Sequence, residues 1–415
     1  MKKLAIFIMV FALLMPLFAF NVSAAENVIY IKDGGEGDGS SPENAMGMGD
    51  SGVAWKDAPL YQAWMELLET GGTIVICGPY TLKKDEAHRV LGAPDIMMEK
   101  DAEKGWLRNP DVTITYTSVY GGVDYRATAG AKLQFDDNNT SITFPTATVL
   151  KDINVVAGGY PAGDNRDNFI AAGYCPLTLG QGTNFVANAD GELPVILGGH
   201  RNYSAIAAIA SDTHITVDIG NANTIGAIYG NLAYANKNQT GSSYITVKSG
   251  KVNGIYGDNM NNHGFGLTGS INIDIQGGII CGEVGICNNG FAVDRKADGT
   301  ISEVMSECKA VLKISGGDFS NCTGIIPIKQ PDGNAAPVDP VVDCSAASWA
   351  VYDKVVTLTT MTVTEPTNPR PSEGGNEGGN EGGSDNPSTG DVIAIVLATM
   401  AASGLGVVVL KKKEF

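Results

Sequence analysis

Basic charge is what this chain has least of. Only 28 lysines and arginines stand against 45 aspartates and glutamates, and the formal net charge is −17. Phosphate backbones and anionic lipid headgroups would be repelled, so nucleic acid is not an expected partner. Acidic polysaccharides are disfavoured on the same ground. Paired metal-binding cysteines are missing as well. Cys77, Cys175, Cys281, Cys287, Cys308, Cys322 and Cys344 never form a C-x-x-C pair, whereas a zinc site wants ligands at short, repeated spacings. Their number is odd, so at least one thiol stays unpaired, and one or two disulfides are compatible with an extracellular chain. Cys77 closes the run TIVIC and Cys281 follows GGII, positions that suit small, buried, apolar side chains.

The two ends carry targeting information. Lys2 and Lys3 precede an apolar run from Leu4 to Phe20, and small residues follow at Ser23, Ala24 and Ala25. This is the pattern of a secretory signal peptide over residues 1–24, cleaved around Ala24 and Ala25. At the other end, Glu365 to Asp385 is rich in Pro, Glu and Gly and contains a tandem EGGN repeat. It has nothing to bury and reads as a solvated flexible linker. Its 21 residues reach at most about 70–75 Å when fully extended. An apolar run from Val392 to Leu410 follows, long enough to span a bilayer as a transmembrane helix, and Lys411, Lys412 and Lys413 close it on the cytoplasmic side.

Immediately before that run stands NPSTG, Asn386, Pro387, Ser388, Thr389 and Gly390. The order Pro-x-Thr-Gly, apolar span, basic tail resembles the LPXTG cell-wall sorting signal of Gram-positive bacteria, with Asn386 where that family usually has Leu. The resemblance implies a sortase whose cysteine attacks the Thr389–Gly390 carbonyl and transfers Thr389 to a peptidoglycan amine. Sortase and peptidoglycan are therefore the expected partners. The expected destination is outside the cell, with covalent attachment to the wall after transient retention in the membrane.

Between the ends lies a body from residue 26 to 364. No Pro/Ser/Gly linker divides it, and its length exceeds a usual single core, which favours one repetitive unit. Ile215, Ile245, Ile273 and Leu312 align ITVDIG, ITVKSG, INIDIQGG and LKISGG at steps of 30, 28 and 39 residues. Each copy alternates apolar and polar with period two and breaks at glycine. A second short strand follows each copy, in GAIYG, NGIYG, GEVGI and TGIIPI, and fainter versions stand upstream in DVTITYTSVYGG, TVLKDINVVAGG and LPVILGG. Short strands with glycine corners and no intervening helices predict a solenoid whose coils bury one another's apolar faces. Nine to eleven coils at about 4.8 Å each would stack over about 45–50 Å. The 39-residue step holds Asn288 to Glu307, expected as a loop projecting from one coil. The doublets Gly277-Gly278 and Gly316-Gly317 read as corners, since a residue without Cβ turns left-handed at least cost. At the open end, KDAPLYQAWMELLETGG predicts a capping helix, with Asp57 as N-cap, Leu60, Trp64, Leu67 and Leu68 on one face and Gly71 as its stop. GTIVIC then begins the first full coil.

The entry VIYIKDGGEGDGSSPENAMG, the short helix, GGTIVICGPYTL and the later I-x-I-x-G-G turns resemble the pectate-lyase-like right-handed parallel β-helix superfamily. The expected fold is all-β: a right-handed parallel β-helix, or β-solenoid, with a short N-terminal capping helix, plus the C-terminal transmembrane helix. That superfamily includes polysaccharide lyases and hydrolases, but its catalytic signatures are thin here. Asp136-Asp137 is the sole Asp-Asp pair and reads as a turn between strands, and neither Asn-Thr-Asp nor Arg-Ile-Lys occurs. Asp164 and Asp167, and Asp258 with His263, lie in Asp/Asn/Gly clusters that suit tight turns or, alternatively, calcium. His200 and His263 lie near glycine corners and read as surface or corner histidines. No cofactor is otherwise expected. The least ordinary polar stretch is YGGVDYRATAG, whose Tyr120, Asp124, Tyr125 and Arg126 could grip a neutral sugar or form a structural Asp–Arg pair that fixes a loop. Together these features point to a wall-anchored surface protein displaying a β-helix for adhesion or glycan binding, non-catalytic, with host or dietary glycans or another cell surface as partner. A surface polysaccharide lyase or glycoside hydrolase on the same scaffold, and a structural spacer without ligand, are the alternatives.

Overall fold

The computed structural model describes residues 27–47, 58–82, 108–136, 140–159, 168–200, 211–231, 241–260, 269–288, 293–295, 301–304, 309–329 and 340–371. The chain divides into two compact units, Met1–Pro369 and Arg370–Phe415, and every described strand and helix belongs to the first. The expected signal peptide with Ala24 and Ala25, the expected sorting residues 386–390 and the apolar run 392–410 lie outside the described residues. Among the described residues no helix is long and apolar enough to cross a membrane.

Period-two alternation in the sequence becomes alternation of burial in the strands. Ile215, Val217, Ile245, Val247, Ile271, Ile273 and Ile275 point inward and are at most 1% exposed. His214, Tyr244 and Lys248 between them face solvent. The resulting architecture is mostly β and built of long parallel sheets. An eleven-stranded sheet takes its strands in sequence order: Val28–Ile31, Gly72–Ile76, Asn109–Thr117, Thr146–Leu150, Leu177–Leu179, Thr213–Asp218, Ser243–Ser249, Ile271–Ile275, Ala310–Ile314, Val341–Asp343 and Val363–Thr364. Its ten intervals of about 4.8 Å give about 48 Å along the stack. A seven-stranded sheet runs from Ser141–Thr143 to Gly324–Ile328, and a four-stranded sheet joins Pro79–Leu82, Lys132–Phe135, Asn154–Val156 and Asn184–Val186. This is compatible with a β-solenoid.

The repeat alignment is the register of the sheet. Ile215 pairs with Ile245, Ile245 with Ile273 and Ile273 with Leu312. The second strands stack likewise in the seven-stranded sheet, with Ile228, Ile255, Val284 and Ile325 in one row, each at most 1% exposed. One continuous core runs from Ile29 to Val355. Buried hydroxyls tie strand to corner in successive coils, Thr213 Oγ1 donating to Gly230 O and Ser243 Oγ to Gly257 O. The glycine doublets divide two tasks between them. Gly278 and Gly317 take φ of +84° and +106°, while a Cβ at Gly277 or Gly316 would stand 2.3 Å from the carbonyl oxygen of Lys248 or Gln276 on the coil before.

Several expectations need correction. The capping helix, Pro59–Leu67, buries Leu60, Trp64 and Leu67, and Gly71 N donates to Leu67 O. Its N-cap is Ala58, without a side-chain cap, and Asp57 lies outside the described residues. Leu68 is only half-buried, because it falls past the last helical turn. Val28–Ile31 pairs in parallel with Gly72–Ile76 as a lone strand ahead of GTIVIC, and Pro79–Leu82, just after GTIVIC, is the first strand of the four-stranded sheet. The projecting loop contains a hairpin, Val293–Arg295 antiparallel to Ile301–Val304. Asn288 belongs to the coil instead: it is 1% exposed, and its Nδ2 donates to Asn259 O and Met260 O at 2.7 Å. A second helix, Trp349–Thr357, closes the other end. Ser348 caps it, Val355 is buried, and Leu358 O after it accepts from Ile325 N.

Candidate functional site: the outer face of the long sheet

YGGVDYRATAG folds into two small units. Val119–Tyr120 and Val123–Asp124 form an antiparallel pair around Gly121 and Gly122 at φ +59° and +82°. The one-turn helix Tyr125–Ala129 follows, N-capped by Asp124 and ended by left-handed Gly130. Its tyrosines turn onto the outer surface of the long sheet. Tyr120 meets Tyr30 edge-to-face at 6.1 Å, and with Tyr125 they pack on Ala45, Val75 and Cys77. Partial burial pushes the hydroxyl pKa of Tyr30 and Tyr125 upward. Arg126 is engaged by its neighbours. Nε and Nη2 donate to the two Asp124 oxygens at 3.0 and 2.8 Å, and Nη1 donates to Gly182 O at 3.0 Å. The side-chain hydrogen bonds from Arg126 hold the Asp124 carboxyl below its ordinary pKa. Nη2 also stands 3.9 Å from Asp152 Oδ1. The structure thus brings Asp124 and Arg126 together as a bidentate pair that fastens the hairpin to two further coils.

The same corner continues along the stack as a polar network. Gln181 Nε2 and Ser249 Oγ both donate to Asp218 Oδ1, at 2.7 and 2.6 Å, and Gly220 N donates to Ser249 Oγ at 2.9 Å. Other acidic and imidazole candidates are dispersed. Asp136 is an exposed turn residue whose N donates to Leu82 O. Asp258 is fully buried and accepts from Asn288 N. His200 is a corner residue but only 1% exposed. Asp137, Asp164, Asp167 and His263 lie outside the described residues. Among the described residues, no three His, Cys, Asp or Glu side chains converge as a metal site would need. Among the described residues Cys77, Cys175, Cys281, Cys322 and Cys344 are free thiols, and burial pushes Cys175 and Cys344 up to about 11, so both remain protonated.

The long sheet also presents residues that reasoning from sequence passed over. In register down its outer surface stand His214, Tyr244, Asn272, Val311 and Val341. Beside them run Thr178, Thr216, Thr246, Asp274, Lys313 and Asp343. The rings of His214 and Tyr244 stack at 4.7 Å and 7°, with Tyr244 37% exposed. The signal was present: each stands immediately before the isoleucine that aligns the repeats. Comparison with protein-family models, curated proteins and solved structures found no match to this chain.

Proposed function

We propose that this protein is a secreted surface protein, anchored to peptidoglycan by a sortase through Thr389, which displays a right-handed parallel β-helix for adhesion or glycan binding and turns over no substrate. Right-handedness follows the strong preference of parallel crossovers. The run 392–410 serves as a transient transmembrane helix, and host or dietary glycans or another cell surface are the partners. The observation that carries the reading is the outer face of the long sheet, where polar and aromatic side chains recur at strand spacing beside a corner network. A repeating row suits a repeating polymer, since each unit can meet an equivalent set of contacts. The NPSTG sequence with both its flanks supports the wall attachment.

Two measurements test this. Mass spectrometry of wall digests is expected to find a peptide ending in Thr389 joined to a peptidoglycan amine; recovery of mature protein with Phe415 intact would leave a simple membrane anchor. Incubation with neutral and acidic polysaccharides, with and without calcium, is expected to show binding without products. Unsaturated uronate absorbance or new reducing ends, abolished by changing Asp136, Asp137 or Asp258, would replace display with catalysis.

A further inference from the structure

The His214–Tyr244 stack has a direction. Its 4.7 Å separation matches the strand spacing of about 4.7–4.9 Å, so the rings face each other along the line that runs from strand to strand. The second face of Tyr244 therefore looks toward the next strand, where its register partner is Asn272. Asn272 is short and lies low, its Nδ2 reaching back to Ser243 O at 3.4 Å. Beyond it in register stands Val311, two strand spacings or about 9–10 Å from Tyr244. A ring placed midway would meet an aromatic face on one side and a branched aliphatic side chain on the other. At its rim stands Asp274. Oδ2 of Asp274 accepts from Gln276 at 2.8 Å, while Oδ1 is buried and faces away from solvent. Exposed Lys313 follows in the same row.

We infer that Tyr244, Asn272 and Val311 frame a slot for one ring of a neutral glycan. A pyranose presents a C–H face for the tyrosine and hydroxyls at its edge, the pairing of apolar wall and few polar groups that small-molecule sites use. An acidic sugar is opposed by Asp274 and by the net charge of −17. The inference rests on the display reading above and names the ligand class of that surface.

The test is isothermal titration of the full-length protein with neutral hexasaccharides (cello-, malto-, xylo- and manno-) and with hexagalacturonate as the acidic comparator. At least one neutral oligosaccharide is expected to bind and hexagalacturonate is not. Tyr244→Ala is expected to weaken that binding by roughly tenfold, the equivalent of one aromatic contact, and Tyr244→Phe to retain it. Asn272→Tyr, which fills the slot with a third ring at an outward position, is expected to abolish it with an unchanged melting temperature. If the wild type binds a glycan that Tyr244→Ala and Asn272→Tyr bind equally well, the slot is refuted while glycan display stands. Tighter binding of hexagalacturonate than of every neutral sugar also refutes it. If no sugar binds at all, the slot and the glycan reading fall together.

Discussion

Ile245→Asp probes the stack where every inward position depends on two neighbours. Ile245 is 1% exposed and lies in register between Ile215 and Ile273, so its loss uncovers apolar surface on two adjacent coils. Truncating a buried isoleucine costs about 2–5 kcal/mol from lost transfer energy and cavity. The carboxyl adds a second cost that depends on pH. In an apolar site its pKa rises about three pH units above the ordinary value near 3.9. The folded variant then holds a proton that the unfolded chain releases, so stability falls as pH rises from about 4 to about 7, by about 4 kcal/mol in all. Together these losses compare with the whole stability of a typical domain, about 5–15 kcal/mol. Thermal melts by circular dichroism and thermolysin resistance of the full-length protein at pH 4 and pH 8 measure both parts. Ile245→Asn is expected to show the first cost without the pH dependence. Thr216→Asp, facing outward between Thr178 and Thr246, is expected to change stability by no more than about 0.5 kcal/mol. An Ile245→Asp variant that melts with the wild type at pH 8, or an equal loss in Thr216→Asp, would refute the inward assignment.

Gly277→Ala is expected to destabilise by about 1–3 kcal/mol, because its Cβ would meet Lys248 O at 2.3 Å. Gly159→Ala, with nothing within 4 Å, is expected to stay within about 1 kcal/mol of the wild type; equal melting temperatures would show that the coils do not approach so closely at Gly277. Arg126→Ala frees the hairpin from Gly182 and removes the group that depresses the Asp124 pKa. Faster amide exchange over residues 119–130 is expected, with the Asp124 pKa rising toward its ordinary value but still held below it by the backbone N–H groups of residues 126 and 127. In the wild type the contribution of this pair is present above the ordinary carboxyl pKa and is lost as pH falls through the depressed one; a melting temperature that rises on acidification through that range would contradict it.

Much of the fold was legible because its signal is local. Period-two alternation assigns each strand an inward face, and ITVDIG over ITVKSG over INIDIQGG already places Ile215, Ile245 and Ile273 in register. Gly278 and Gly317 were readable as corners because a left-handed φ favours glycine wherever it occurs. Other features were hidden because they depend on which coils meet. The closing helix Trp349–Thr357 carries a serine cap, yet only its place over the last coil makes it a cap. The step from coils that use the four-stranded sheet to coils that do not, near Asn184–Val186, leaves no mark in the repeat. YGGVDYRATAG drew attention for its charges and rings, but whether Arg126 was free for a ligand depended on Gly182, 56 residues away.

The sequence by itself determined the strands, their inward residues, the corners and the expectation of a display on a wall. Each of these follows from a residue's own chemistry and its neighbours along the chain. Only the tertiary structure decided which side chains share the outer surface. His214 and Tyr244 are thirty residues apart, and parallel stacking brings their rings to 4.7 Å because every coil lays its outward residues one strand spacing from those of the last.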